Sequence, residues 1–149
     1  MNELYELYQE LIVDHGRTPR NFGPMDDHTH QAQGFNPLCG DAIILRLKLE
    51  NDLITDVKFE GNGCAISTAS ASMMSQIIKG KTQAETEALF EKFHDLVTVE
   101  DYEPDLDELG KLGAFAGVRN FPMRVKCATL AWHTVKAALN NAEEAATTE

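Results

Sequence analysis

The sequence predicts an α+β fold: a small antiparallel β-sheet of about three strands, with helices packed on one side. Three observations predict it. Ile43, Leu45, Leu47 and Leu49 alternate with Ile44, Arg46, Lys48 and Glu50, and after the turn pair Asn51-Asp52 a second alternation runs through Leu53, Thr55, Val57 and Phe59. A period of two on both sides of a turn pair describes a half-buried β-hairpin. Apolar residues at helical spacing flank the hairpin on both sides, with recognisable start and stop signals. Finally, no repeat and no linker divides the 149 residues, so residues 1–149 are expected to fold as one domain around one core.

The elements follow in order. Leu4, Leu7, Tyr8, Leu11, Ile12 and His15 share one helical face, and Gly16 marks its end. Arg17 to Asp27 holds two prolines and Gly23 and reads as a loop, and Gln31 to Phe35 reads as a short polar edge strand. The hairpin ends at Gly61-Asn62-Gly63. Ala65 to Lys79 then forms a helix rich in small residues, closed by Gly80. Thr82 with Glu85 is a capping box that opens a helix whose stripe is Leu89, Phe93, Leu96 and Val97. A short helix is expected from Asp105 to Leu112. Pro122 opens a last helix to about Ala138, and residues 140–149 read as a disordered acidic tail.

Composition narrows the function. There are 24 Asp plus Glu against 13 Lys plus Arg, a formal charge of −11, which disfavours phosphate backbones and anionic lipid surfaces as partners. Met1 to Glu10 has three acids and no base, unlike a targeting peptide, and the apolar stretch near Ala42 to Leu49 is too short and too charged to span a membrane. The three cysteines cannot all pair within one chain, so a reducing compartment, read as cytoplasmic, with a metal site or reactive thiols is expected.

Each cysteine sits at an element end. Cys39 lies in Asn36-Pro37-Leu38-Cys39-Gly40-Asp41, Cys64 in Gly61-Asn62-Gly63-Cys64-Ala65, and Cys127 in Arg124-Val125-Lys126-Cys127. A single free cysteine is most often simple core packing, and there is no Cys-x-x-Cys pair, so spacing alone leaves packing and a three-thiol site both open. Asp41 favours the site, because in extended backbone residues two apart project to the same side, which sets its carboxylate beside Cys39. Three thiolates and one carboxylate would complete a tetrahedral zinc site of net charge −2, compensated by Arg124, Lys126 and two helix amino ends. His15 continues an apolar stripe and is assigned to packing. His28, His30, His94 and His133 are scattered, without a third ligand near any pair.

Taken together, Leu38-Cys39-Gly40-Asp41, Gly63-Cys64-Ala65-Ile66-Ser67 and Arg124-Val125-Lys126-Cys127-Ala128-Thr129-Leu130 resemble the IscU/NifU-like iron–sulfur cluster assembly family, from the first helix to about Leu139. The resemblance implies an IscU-like fold and a metal site of Cys39, Asp41, Cys64 and Cys127. Lys126 stands where typical scaffold members have histidine, and the stretch from Cys64 to Cys127 is longer than theirs. Phe121-Pro122-Met123-Arg124-Val125-Lys126 replaces their Pro-Pro-Val-Lys type segment. The first two departures resemble the SufU branch. That likeness implies zinc binding, a SufS-type cysteine desulfurase and downstream Suf assembly proteins as partners, and Cys39 as the sulfur acceptor. In that branch Cys39 would be freed when a desulfurase histidine takes its place on zinc, with Arg124 in support. Two other readings remain: a scaffold that assembles and transfers a labile [2Fe–2S] cluster, and a structural zinc module that only binds partners.

Overall fold

The computed structural model describes residues 3–100, 102–103, 106–140 and 146–147, without the side chains of residues 3–5 and 106. Its elements run α1 (Glu3–Arg17), β1 (His30–Asn36), β2 (Asp41–Glu50), β3 (Leu53–Asn62), α2 (Ala65–Ile78), α3 (Gln83–Thr98) and α4 (Leu106–Leu109). A run of 3-10 turns over Gly110–Asn120, α5 (Pro122–Leu139) and β4 (Ala146–Thr147) complete the chain. The sheet order is β3-β2-β1-β4. The three longer strands are antiparallel neighbours, as the alternation predicts, and the two-residue β4 adds to β1 in parallel, opposite Gly34 and Phe35. The sheet is therefore four-stranded and mixed, and β1 is an edge strand only beyond that short pairing. The rest of the expected tail, 141–145 and 148–149, lies outside the described residues, as do the Leu4 side chain of the first helical stripe and Asp105, the expected start of the short helix.

The hairpin turn is the one its residues demand. Asn51 and Asp52 have φ of 52° and 68°, the doubly left-handed turn that matches strand twist and that Asn and Asp tolerate. In β2 the alternation holds, with Ile43, Leu45 and Leu47 buried. In β3 it breaks. Asp56 pairs with Lys48 but Ile54 pairs with Leu49, which leaves Thr55 as an extra residue. That bulge turns Ile54 inward and Leu53 outward, where strict alternation places Leu53 and Thr55 on the core face. Thr55 donates its hydroxyl to the Lys48 carbonyl at 3.1 Å, tying the bulge down.

Helices α2 and α5 lie against the inward face of the sheet, and α1 packs on α2. The approach of α5 to β1 is close: a Cβ on Gly34 would overlap Thr134 Oγ1. Small residues on α2 permit similar contacts, with Ala69, Ser70, Ala71, Ser72 and Ser75 all buried. The capping box at Thr82 and Glu85 forms in full, and Leu89, Phe93, Leu96 and Val97 face the core. There Phe93 stacks on Trp132 with centroids 5.0 Å apart and meets Phe115 edge-on at 5.7 Å. Phe115 belongs to the 3-10 run, so residues 110–120 pack against α3, where the sequence reading expects only a short helix ending at Leu112. Among the described residues, no helix is long and apolar enough to cross a membrane.

His15 is buried, as its place on the α1 stripe predicts, but it also makes a specific bond: its Nδ1 lies 2.7 Å from Ser72 Oγ. The Arg20 backbone N–H donates to that oxygen at 2.8 Å, and the hydroxyl has its own proton to offer to Nδ1 of a neutral ring. Burial, and secondarily the charge of Arg20, hold the His15 pKa below its ordinary 6.5. As pH falls through 6.5, the unfolded chain takes up a proton that the folded chain resists, so stability present above pH 6.5 is lost below it. His133 is shifted the same way, first by burial and then by His94. Thermal unfolding of metal-free protein should therefore weaken from pH 7.5 to 5.5, and His15→Gln should flatten the dependence while leaving the part due to His133.

Candidate metal centre

The four predicted ligands sit on four different structural devices at one end of the sheet. Cys39 is carried by the turn of residues 37–40 between β1 and β2, closed by the Cys39 N–H donating to the Asn36 carbonyl at 3.3 Å. Gly40, at φ +70°, makes the left-handed step that lets the chain re-enter the sheet. Asp41 is the first residue of β2 and lies opposite Asn36 in the register. Cys64 is the N-cap of α2, where its Sγ accepts from the Ser67 N–H at 3.4 Å. Cys127 lies in the second turn of α5, on the buried face.

These devices converge. The Cys127 and Cys39 sulfurs are 3.5 Å apart. Asp41 is 2% exposed and both its oxygens are engaged: Oδ1 accepts from the Cys64 N–H at 2.8 Å, Oδ2 from Asn36 Nδ2 at 3.0 Å. One donor atom each from Cys39, Asp41 and Cys127 lies within 4.8 Å of the other two. The ligand–ligand edge of a tetrahedral zinc–thiolate site is about 3.8 Å, so the sulfur pair at 3.5 Å already stands near the spacing that a shared ion requires. The Cys64 thiol is instead turned to cap α2, and it is not one of the three donors drawn together. Gly63 allows this crowding, since a Cβ there would come 2.9 Å from Asp41 Oδ1.

The electrostatics call for a cation. Burial first, then the neighbouring Cys64 and Cys39 thiols and the Asp41 carboxylate, drive the Cys127 thiol far above its usual range. A nearby positive charge would stabilise the ionised form of that buried Cys127 thiol. Arg124, expected to compensate, is exposed, with its guanidinium 4.5 Å over the Phe121 ring, and Lys126 is half-buried. A divalent metal with a preference for sulfur fits the donor set in kind and number. Among the described residues no second cluster of this kind occurs. His28 and His30 instead bond locally, to the Met25 carbonyl and to Thr29 Oγ1, each at 2.8 Å.

One functional side chain was not apparent from sequence. Asn36 is fully buried, and its Nδ2 reaches Cys127 Sγ at 3.5 Å as well as Asp41. The signal was the parity of β1: Ala32, Gly34 and Asn36 all face inward, so an amide there must find partners beside the Cys39 turn.

The sequence model of the NifU-like N terminal domain matches residues 7–147. The chain belongs to that family. Its members here include the zinc-dependent sulfurtransferase SufU of Bacillus subtilis, 45% identical over 130 residues and 87% of each chain. The iron–sulfur cluster assembly scaffold protein IscU of Streptococcus pyogenes is 41% identical over 145 residues, covering 97% of this chain and 90% of that one. Among solved structures, a protein of Fervidobacterium islandicum described as an iron–sulfur cluster assembly scaffold for the SUF system superposes with a TM-score of 0.82. It is 37% identical, over 91% of this chain and 98% of that chain. The NifU-like domain described here is thus an iron–sulfur cluster assembly protein of the IscU/SufU group, with the α+β fold the sequence predicts.

Proposed function

We propose that this NifU-like domain is a zinc-binding sulfur acceptor that takes persulfide sulfur from a SufS-type cysteine desulfurase in the cytoplasm and passes it to downstream Suf assembly proteins. The observation that carries the reading is the asymmetry of the paired thiols. Cys39 is exposed on a turn and Cys127, 3.5 Å away, is buried. One ligand can meet an external sulfur donor while its neighbour stays anchored. The name and zinc dependence of the Bacillus relative agree with this reading.

In the proposed reaction the Cys39 thiolate attacks the terminal sulfur of the desulfurase persulfide. The S–S bond of that persulfide breaks, its cysteine leaves as thiolate, and a new S–S bond forms on Cys39. The exchange is isoelectronic and needs no outside oxidant or reductant. Zinc, held by Cys39, Asp41, Cys64 and Cys127, would supply the positive charge that keeps these ligands ionised. Gly40, with nothing within 4 Å of a Cβ built on it, leaves the turn room to swing. Asp41, anchored at both oxygens, keeps the remaining ligands in register. Arg124, beside Phe121 at the start of α5, is assigned to meeting the partner. After incubation with cysteine and the desulfurase, mass analysis should find one added sulfur, on the Cys39 peptide; sulfur on Cys127 alone, or nowhere, would refute the assignment.

A second reading has its own support in the scaffold name of the Streptococcus relative, which spans nearly the whole chain, and in a thiol-rich donor set that also suits a [2Fe–2S] cluster. Anaerobic reconstitution of metal-free protein separates the two: a scaffold gives cluster absorption bands and converts an apo-ferredoxin, a sulfur acceptor does neither.

A further inference from the structure

Asn36 touches three of the four candidate ligands. Its carbonyl receives the Cys39 N–H at 3.3 Å, its Nδ2 donates to Asp41 Oδ2 at 3.0 Å, and the same nitrogen lies 3.5 Å from Cys127 Sγ. An amide nitrogen has two protons, so the carboxylate and the thiol can each take one without competing. The residue is fully buried at the end of β1, opposite Asp41, and its backbone is fixed by the β1–β2 ladder. The donor is thus set in place before any metal arrives.

We propose that Asn36 is a positioning residue that fixes Asp41 and Cys127 and so determines that Cys39 is the ligand able to leave. This rests on the sulfur-acceptor reading, which supplies the reason why one ligand must leave. A hydrogen bond to a thiolate or carboxylate stabilises the ionised form and fixes its lone pairs, and losing such an outer partner commonly costs about 10- to 100-fold in metal affinity. Asp41 and Cys127 each receive a side-chain bond from Asn36, whereas the bond to Cys39 runs through the backbone of the turn. Two of the four ligands are braced by Asn36, Cys64 is held as the cap of α2, and Cys39 hangs on the turn.

The test uses Asn36→Leu, which keeps most of the volume and removes the donor, with Asn36→Ser as the second variant should the first not fold. Zinc affinity, measured by competition with a chelator, should fall about 10- to 100-fold. The cobalt-substituted protein should show altered thiolate-to-metal and d–d absorption, a change that mere loss of packing with an intact ligand set would not produce. Unfolding of the metal-free variant reports any purely structural cost. In wild-type protein the Asn36 side-chain amide proton resonances should move on addition of zinc. Wild-type affinity and wild-type cobalt bands in a folded variant overturn the proposal, and so does an Asn36 amide resonance that ignores the metal. Failure of the sulfur-acceptor reading would look different: wild-type protein would carry no sulfur on Cys39 while the effects of Asn36 on zinc and cobalt persist.

Discussion

Cys39→Ala should abolish sulfur acceptance, reducing cysteine-dependent sulfur transfer by roughly two orders of magnitude or more, because Cys127 is buried and the other exposed thiol, Cys64, is turned to cap α2. The same change should leave the metal-free fold within about 0.5 kcal/mol of wild type, since an exposed turn side chain contributes little packing. Cys127→Ala provides the contrast. Cys127 is 3% exposed and packed within α5, so its loss should lower both zinc content and folding stability. Chelator titration, thermal unfolding and desulfurase-coupled sulfide release, run on both variants, separate a chemical role from an architectural one. Full transfer activity in Cys39→Ala would remove Cys39 from the mechanism.

Gly61→Ala should have the largest effect on the fold and should empty the centre with it. Gly61 has φ +154°, and a Cβ there would overlap the Ala42 carbonyl oxygen and lie 2.9 Å from the Ile43 Cα. Those are backbone atoms of the neighbouring strand, which cannot rotate away as a side chain can. Backbone strain and overpacking together should cost roughly 2–6 kcal/mol. Because Gly61 lies opposite Ile43 in the register, two strand positions from Asp41 and three residues before Cys64, a displaced strand end carries two ligands with it. Unfolding midpoint and zinc stoichiometry should therefore fall together, and a variant with wild-type values in both would show that the β2–β3 contact is looser than described.

How much of this was legible beforehand depended on the range of the forces involved. The β2–β3 hairpin, the Thr82 capping box and the Pro122 helix start are dictated by residues within a few positions of one another, and they appear where expected. Cys39, Asp41, Cys64 and Cys127 could be grouped from their places at element ends and the motifs around them, and the structure draws the donor atoms of Cys39, Asp41 and Cys127 together. The Thr55 bulge was hidden, since nothing near Thr55 announces an unpaired residue and the inward place of Ile54 depends on the partner strand. The 3-10 run was hidden for a similar reason: Phe115 is ordered by Phe93 on α3, a contact the local sequence does not encode. Asn36 escaped notice because its importance comes from Cys127, 91 positions away.

The serine-lined packing of α2 has a consequence for how the ligands respond to thermal opening. With α1, α5 and the sheet around it, and with Ser70 bonded to α5 and Ser72 to α1, α2 belongs to the part of the molecule whose amides should exchange with deuterium only on global unfolding. Cys64, as its cap, inherits part of that protection. The 37–40 turn, held by one 3.3 Å backbone bond, belongs to the fast-exchanging fraction. The two exposed thiols, alike in accessible surface class, therefore sit in regions of very different opening frequency. A thiol-specific label applied briefly at low concentration should mark Cys39 well before Cys64.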